Sequence, residues 1–385
     1  MKVALFSDCY IPIINGVVTL VSQLREGLTL QGHEVLIFTV RYRGYKQNEP
    51  GTLRFPSLPF SVGNQNFGFG LVSTGYVQKV LRDWGVDLIH SHTEFALDAV
   101  AIKAAKKLGV PYIHTYHTMW ESYLHYLPKW VISPGLVRML YRNHSKSADA
   151  IIAPSLKAKD YLLALVPAAP VVVVPNGINV QKFRSVGMTQ EVMLATRAKY
   201  GIAEDEKVLL FVGRIGPEKR VIELQQALLP VLRANPKVKV AMIGDGGDIG
   251  TLQQIASREG LADRFLLPGF IEWKDIYGIY SLASIFVTAS LSEVHPMTVI
   301  EALVCGLPVV SRRDASYLDQ VYPGENGELV DSENELTDAV NALLADPDRL
   351  SSYAARSLEV AKKFTAEGHV GRTLDLYQEV LKTYH

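Results

Sequence analysis

The chain has 385 residues, 48% hydrophobic and 20% charged. That is a globular composition too long for one core of ordinary size, so two domains are expected. Its 39 Lys+Arg balance its 39 Asp+Glu, which gives no ground for a nucleic-acid partner. The two cysteines, Cys9 and Cys305, lie in apolar stretches; they fit neither a disulfide framework nor a zinc site and suit a reducing compartment.

In chain order, "KVALFS" at the N-terminus reads as a first buried strand, because the apolar run is too short for a signal segment. "VVTLVSQLREGLTLQGH" has helical periodicity and closes on Gly32. "EVLIFTV", "DLIHSH", "PYIHTYH", "AIIAPS" and "VVVVPNG" are further buried runs that end in polar residues or glycine, with helical patterns between most of them. From residue 207 a second series follows: "KVLLFVGR", "VKVAMIGDG", "RFLLPGF", "SIFVTAS" and "PVVSRR". Fully apolar strands alternating with helices predict parallel, doubly wound sheets, hence an α/β protein with two Rossmann-like halves. The predicted division is residues 1–178, residues 179–365, and a helical tail at 366–385 that either extends the second domain or braces the first. No apolar stretch approaches the roughly 18 residues of a membrane span.

The charges divide unevenly. Residues 1–178 hold 17 Lys+Arg and 11 Asp+Glu, a net of 17 − 11 = +6, and the balanced totals leave −6 for the rest. Chance scatter and a basic face on the first domain both account for this.

In open α/β sheets ligands sit beyond the carboxyl ends of the strands, so the residues after each strand carry the information. After the first strand, Gly16 opens a helix and lets backbone approach a phosphate, unless it serves only the shape of the turn. After "PYIHTY" comes His117, with His90, His92 and His114 also at strand ends. Their H-x-H and H-x-x-H spacings match no common metal-ligand pattern, and a satisfied structural histidine is the alternative. After "KVLLFVG", Arg214 and Lys219 bracket a loop before the next helix, either a guanidinium fork and a point charge suited to a diphosphate or a solvated basic loop. "IGDGGDIG" is no dinucleotide fingerprint: Ile249 stands where its last glycine is required, and Asp245 and Asp248 would repel a pyrophosphate. Gly244 then reads as a tight turn near a ligand. Gly269 and Phe270 form a turn able to hold a flat base by backbone contact and stacking, although most such turns hold nothing.

"SEVHPMTVIEALVCGLPVV", residues 292–310, is the most informative stretch. Pro296 lies near the first helical position, where a missing N–H costs nothing, so Met297 and Thr298 supply free backbone donors. Glu293 is placed to accept from sugar hydroxyls and Glu301 from a ribose. A carboxylate between Ile300 and Ala302 is costly without a partner, which argues against an incidental surface glutamate.

These residues resemble the E-x7-E signature of retaining glycosyltransferase family four, a family with the GT-B fold. "VGRIGPEK", "VPNGIN", "GLPVV" and "IPIINGV" resemble further landmarks of that family, and "IHSHTEFALD" with "HTYHTMWESYLHYL" resembles the bacterial diacylglycerol glucosyltransferases. The resemblance implies two Rossmann-like domains facing a central cleft and a C-terminal helix returning to the first domain. It implies that His117 faces the donor sugar, that Gly16 contacts its phosphate or sugar, and that Arg214 and Lys219 clamp the diphosphate. Glu293 would hold a sugar hydroxyl, Glu301 the ribose, and the backbone of His295, Pro296, Met297 and Thr298 would complete the pocket. Val294-His295-Pro296 departs from the small pair usual in the family, which leaves the donor sugar open.

The expected reaction is retaining transfer of a hexose from a nucleotide sugar, UDP-glucose foremost, to a membrane lipid such as diacylglycerol. No carboxylate is placed as a covalent nucleophile; the family expectation is front-face attack with the leaving phosphate as base. No cofactor or essential metal is expected, and Asp346-Pro347-Asp348 reads as a turn and helix cap. The acceptor is expected on the first domain, where "WESYLHYLPKWVISPGLVRMLYRNHSK" mixes Trp120, Tyr123, Tyr126 and Trp130 with Lys129, Arg138, Arg142 and Lys146. The last three cations fall on one helix stripe, an interfacial pattern or a solvated basic face. The expected location is the cytoplasmic face of the membrane. Competing readings are a transferase for a soluble or polysaccharide acceptor, such as mannosyl transfer from GDP-mannose, an epimerase on the same fold, and a non-catalytic nucleotide-sugar-binding protein.

Overall fold

The structure is a computed structural model that describes residues 1–46, 49–62, 65–119, 134–184 and 189–384. It forms two compact units: Met1–Gly177 with Ala366–His385, and Ile178–Thr365. The division falls at Ile178, whose N–H donates to Phe364 O at 2.9 Å and so ties the start of the second unit to its end.

The first unit contains β1 (Lys2–Phe6), β2 (Glu34–Val40), β3 (Thr52–Phe55), β4 (Ser57–Val62), β5 (Gln65–Gly70), β6 (Leu88–Ser91), β7 (Tyr112–Thr115), β8 (Ala150–Ala153) and β9 (Val171–Val173). Its main sheet is parallel, in the order β3-β2-β1-β6-β7-β8-β9. β4 and β5 form a separate antiparallel hairpin. Strand β1 shows why its residues are apolar throughout. Val3 and Leu5 pack under the helices Gly16–Leu30 and Ala366–Thr383, while Ala4 and Phe6 pack under Thr74–Trp84 and Ala96–Leu108. A strand covered on both faces has no polar side to show. Truncating Leu5 to alanine in such a site costs about 2–5 kcal/mol.

The second unit repeats the plan with β10 (Lys207–Val212), β11 (Val238–Ile243), β12 (Phe265–Gly269), β13 (Ile285–Thr288), β14 (Val309–Arg312) and β15 (Gly327–Val330). The parallel order is β12-β11-β10-β13-β14-β15. Leu209 and Phe211 enter one core cluster and Val208 and Leu210 the other. Asp346 accepts from Arg349 N at 3.0 Å and caps the helix Pro347–Ala361, which absorbs the D-x-D sequence into a helix start.

Strand order fixes where ligands can sit. In each sheet the direction of winding reverses once, between β1 and β6 and between β10 and β13. Neighbouring strands there send their following loops to opposite faces, and a crevice opens between them.

Candidate functional site

In the second unit the crevice lies between the loop after β10, residues 213–220, and the loop after β13, residues 289–296. Two bonds join these loops. Lys219 Nζ lies 2.6 Å from Glu293 Oε1, and Ser292 Oγ donates to Glu218 O at 2.9 Å. Arg214 Nε lies 3.5 Å from Glu218 Oε1, a carboxylate that sequence reasoning had not singled out. Residues 217–219 form a short 3-10 turn that ends on Arg220 at φ 52°. A side chain in the left-handed region is strained and needs support, which here comes from Glu333 at 2.7 Å.

The glycines bring three loops together. The N–H of Gly213 donates to Ile243 O at 3.0 Å, that of Ile215 to Asp245 O at 2.9 Å, and that of Gly244 to Gly269 O at 3.0 Å. A Cβ on Gly244 would stand 1.8 Å from Gly213 O, so only glycine allows this approach. Gly269, at φ 82°, then turns the chain so that Phe270 projects 57% exposed.

The helix Met297–Val304 begins directly after Pro296, and no side chain caps it. The N–H groups of its first turn have no intrahelical partner and form a positive end. His295 lies just before Pro296. Its imidazole is buried, with Nε2 3.0 Å from Asp319 Oδ2 and its ring 5.6 Å from that of Phe364. One turn into the helix, Glu301 is 7% exposed. Trp273 Nε1 donates to its Oε1 at 3.2 Å and Tyr280 OH to its Oε2 at 2.7 Å. Burial pushes the Glu301 carboxyl up to about 7, against the pull of those two hydrogen bonds. Tyr280 OH is also 3.2 Å from Thr298 O, so this side chain links Glu301 to the first turn of its helix.

Gly16 and His117 belong to the first unit. Gly16 is exposed and opens the helix Gly16–Leu30, capped by Asn15, whose Oδ1 accepts from Val18 N at 2.9 Å. His117 follows β7 and is half-buried, with Nε2 3.1 Å from His92 Nδ1. Burial, then the neighbouring His114 and His369, hold its pKa down to about 3. His114 behaves oppositely. Burial disfavours its charge, but Asp98 at 3.6 Å and Glu94 at 3.5 Å outweigh that and raise it to about 9. Asp98, fully buried, stays well below the usual carboxylate range because His114 and His144 overcome the effect of burial. His144 lies 2.8 Å from it. Among the described residues no group of three or more His, Cys, Asp or Glu is arranged to hold a metal.

On the helix Pro134–Ser147, Arg138, Met139, Arg142 and Lys146 are exposed. Trp120, Tyr123, Tyr126, Lys129 and Trp130 lie outside the described residues.

In the second unit Lys219 and Glu293 thus join the two loops that flank the crevice, and the helix that carries Glu301 follows the second of them. The sequence pattern of Glycosyltransferase Family 4 matches residues 14–182 and that of Glycosyl transferases group 1 matches residues 193–360. The α-monoglucosyldiacylglycerol synthase of Streptococcus pneumoniae is 33% identical over 352 residues, 90% of this chain and 79% of the relative. Its counterpart from Acholeplasma laidlawii is 28% identical over 389 residues, 99% of this chain and 98% of the relative. A D-inositol 3-phosphate glycosyltransferase of Catenulispora acidiphila is 30% identical over 312 residues, 77% of this chain and 71% of the relative. The crystal structure of Anabaena HepE in complex with UDP shares the fold, with a TM-score of 0.80 at 19% identity and coverage of 98% of this chain and 100% of that one. The chain belongs to glycosyltransferase family 4, and its two Rossmann-like units are those of the GT-B fold.

Proposed function

We propose that this glycosyltransferase moves glucose from UDP-glucose to diacylglycerol, with retention of configuration, at an anionic membrane surface on the cytoplasmic side. The observation that carries the donor half is the crevice of the second unit, where Lys219, Glu293 and an uncapped helix end meet. In this reading Arg214, Lys219 and the N–H groups of Met297 and Thr298 stabilise the charge that develops on the departing diphosphate. Preorganised donors of this kind each contribute about 10²–10³ in rate. They supply the positive charge without a metal or other cofactor. Phe270 stacks on the base beside the turns at Gly244 and Gly269, Glu301 accepts from the ribose hydroxyls, and Glu293 accepts from a sugar hydroxyl once the phosphate has claimed Lys219. The backbone from His295 through Pro296 lines the sugar. In the first unit Gly16 approaches the donor phosphate and His117 the sugar near its reacting carbon.

The acceptor hydroxyl attacks that carbon from the face the diphosphate leaves. The C–O bond to phosphate breaks as the new glycosidic bond forms, and a phosphate oxygen takes the proton. The lipid acceptor is supported by the two α-monoglucosyldiacylglycerol synthases that match nearly the whole chain. The surface contact is supported by the exposed Arg138, Arg142 and Lys146 beside Met139. No helix among the described residues is long and apolar enough to cross a membrane. A phosphorylated polyol acceptor is the second reading, favoured by the inositol-phosphate glycosyltransferase relative.

The deciding experiment presents a panel of UDP and GDP sugars to the full chain with diacylglycerol vesicles or with inositol 3-phosphate, in buffer with and without EDTA, and reads product by mass. Hexosyl-diacylglycerol from UDP-glucose, undiminished by EDTA, supports the proposal. A product on inositol phosphate alone favours the second reading, and no product from any donor defeats both.

A further inference from the structure

Among the described residues no carboxylate is bonded to the ring of His117. The histidines His114 and His369 lower its pKa, and among the described residues its ring bonds to His92, at 3.1 Å. His92 is itself fixed. Its backbone N–H donates to Phe6 O at 2.9 Å, and its ring lies 4.0 Å from that of His90. His90 is held at both nitrogens, by Tyr377 OH at 2.5 Å and by Thr115 Oγ1 at 2.6 Å. A ladder of three imidazoles therefore runs from the C-terminal helix to the end of β7.

The His92–His117 contact joins two neutral rings, since burial above all holds both pKa values well down. One proton lies between Nδ1 of His92 and Nε2 of His117, and its owner decides both tautomers. If His117 owns it, the His92 proton must sit on Nε2. That atom is buried and has no hydrogen-bond partner among the described residues. An orphaned buried N–H is the rarer fault in folded proteins. If His92 owns the shared proton, its Nε2 is an unpaired acceptor and no N–H is orphaned. The proton of His117 is then on Nδ1.

We propose that His92 is a positioning residue that holds His117 in the Nδ1–H tautomer, so that His117 offers an N–H donor to a hydroxyl oxygen of the donor sugar. The inference rests on the reading that His117 faces that sugar, but the tautomer is measurable without any ligand. The backbone beside His117 is held as well, because Thr118 O accepts from Tyr141 OH at 2.7 Å.

The test is a long-range ¹H–¹⁵N correlation spectrum of the ¹⁵N-histidine-labelled full chain, with His117 assigned by its loss in His117→Gln. The expected result is a protonated Nδ1 and a bare Nε2 on His117. A protonated Nε2, or an average of the two forms, overturns the inference. The wild-type spectrum decides the point even if a variant fails to fold. His92→Phe should release His117 to the Nε2–H form that free imidazoles favour and lower kcat with UDP-glucose about a hundredfold, the loss of one directed donor. His92→Gln, whose amide N–H can still donate to Nε2, should keep the Nδ1–H form and recover most of the rate; equal loss in both variants counts against the idea. A protein with the expected tautomer that consumes no nucleotide sugar would refute the functional reading and leave the positioning role standing.

Discussion

Protonation of Glu301 should gate donor binding near neutrality. The carboxyl sits at about 7, raised by burial from 4.5. A ribose diol donates two hydrogen bonds, so it binds the carboxylate and not the acid. The fraction ionised at such a pKa is about 0.9 at pH 8 and about 0.09 at pH 6, so affinity for UDP-glucose should fall about tenfold between them, close to 1.4 kcal/mol. The sign for stability is the reverse. A raised carboxyl pKa favours the ligand-free fold below the unfolded value, and that contribution is lost as pH rises through about 7. Calorimetric titration with UDP-glucose, whose diphosphate does not titrate in this window, measures the affinity and the proton release on binding. At pH 6 binding should release close to one proton, read by repeating it in buffers of different ionisation enthalpy. Glu301→Gln should abolish that release and flatten the profile. Tyr280→Phe removes a donor to the carboxylate and should move the midpoint up by roughly one unit, since a hydrogen bond to a charged group is worth about 1.5–3 kcal/mol. An affinity indifferent to pH in the wild type, or the same proton release in Glu301→Gln, would refute the reasoning.

Three further outcomes follow from the geometry. Lys219→Ala should lower kcat/KM for transfer by about 10²–10³ while circular dichroism stays native, because it removes a cation from the departing diphosphate; a loss under threefold would remove Lys219 from the diphosphate site. Asp98→Asn breaks the buried pairing with His114 and His144 and should cost about 3–5 kcal/mol. The His114 contribution is fully present below 6.5 and lost as pH rises through about 9, so the melting-temperature gap should be widest near pH 6 and narrow toward pH 10. Replacing Arg138, Arg142 and Lys146 together by glutamine should weaken co-sedimentation with anionic vesicles roughly a hundredfold, at about 1 kcal/mol per cation, and leave the residual binding less sensitive to salt.

The fold was legible where burial is two-sided. Strands such as β6, β7, β8 and β13 are buried at every residue, and a continuous apolar run between polar turns admits few other readings. The strands that escaped sequence reading break that rule. β15 is four residues long and carries Glu328, whose charge is met by Arg349 and by Tyr353 OH, groups on a helix more than twenty residues away. In the hairpin, β4 contains Pro59 and β5 contains Asn66, Gly68 and Gly70, residues that read as loop. The site divides in the same way. Glu301 stands out because a lone carboxylate in an apolar helix demands an explanation, and Lys219 and Glu293 because they follow strands. Trp273 and Tyr280 do not stand out. Each is one aromatic in an ordinary helix, and only the fold brings its single polar atom to the carboxylate 28 and 21 residues onward. His92 was visible as one of four strand-end histidines, but its significance lies in an atom with no hydrogen-bond partner among the described residues, and a pattern of residue types cannot display an unmet hydrogen bond. Local chemistry reveals the groups a ligand would touch, because they are the ones out of place. The groups that orient them look like core until the packing is known.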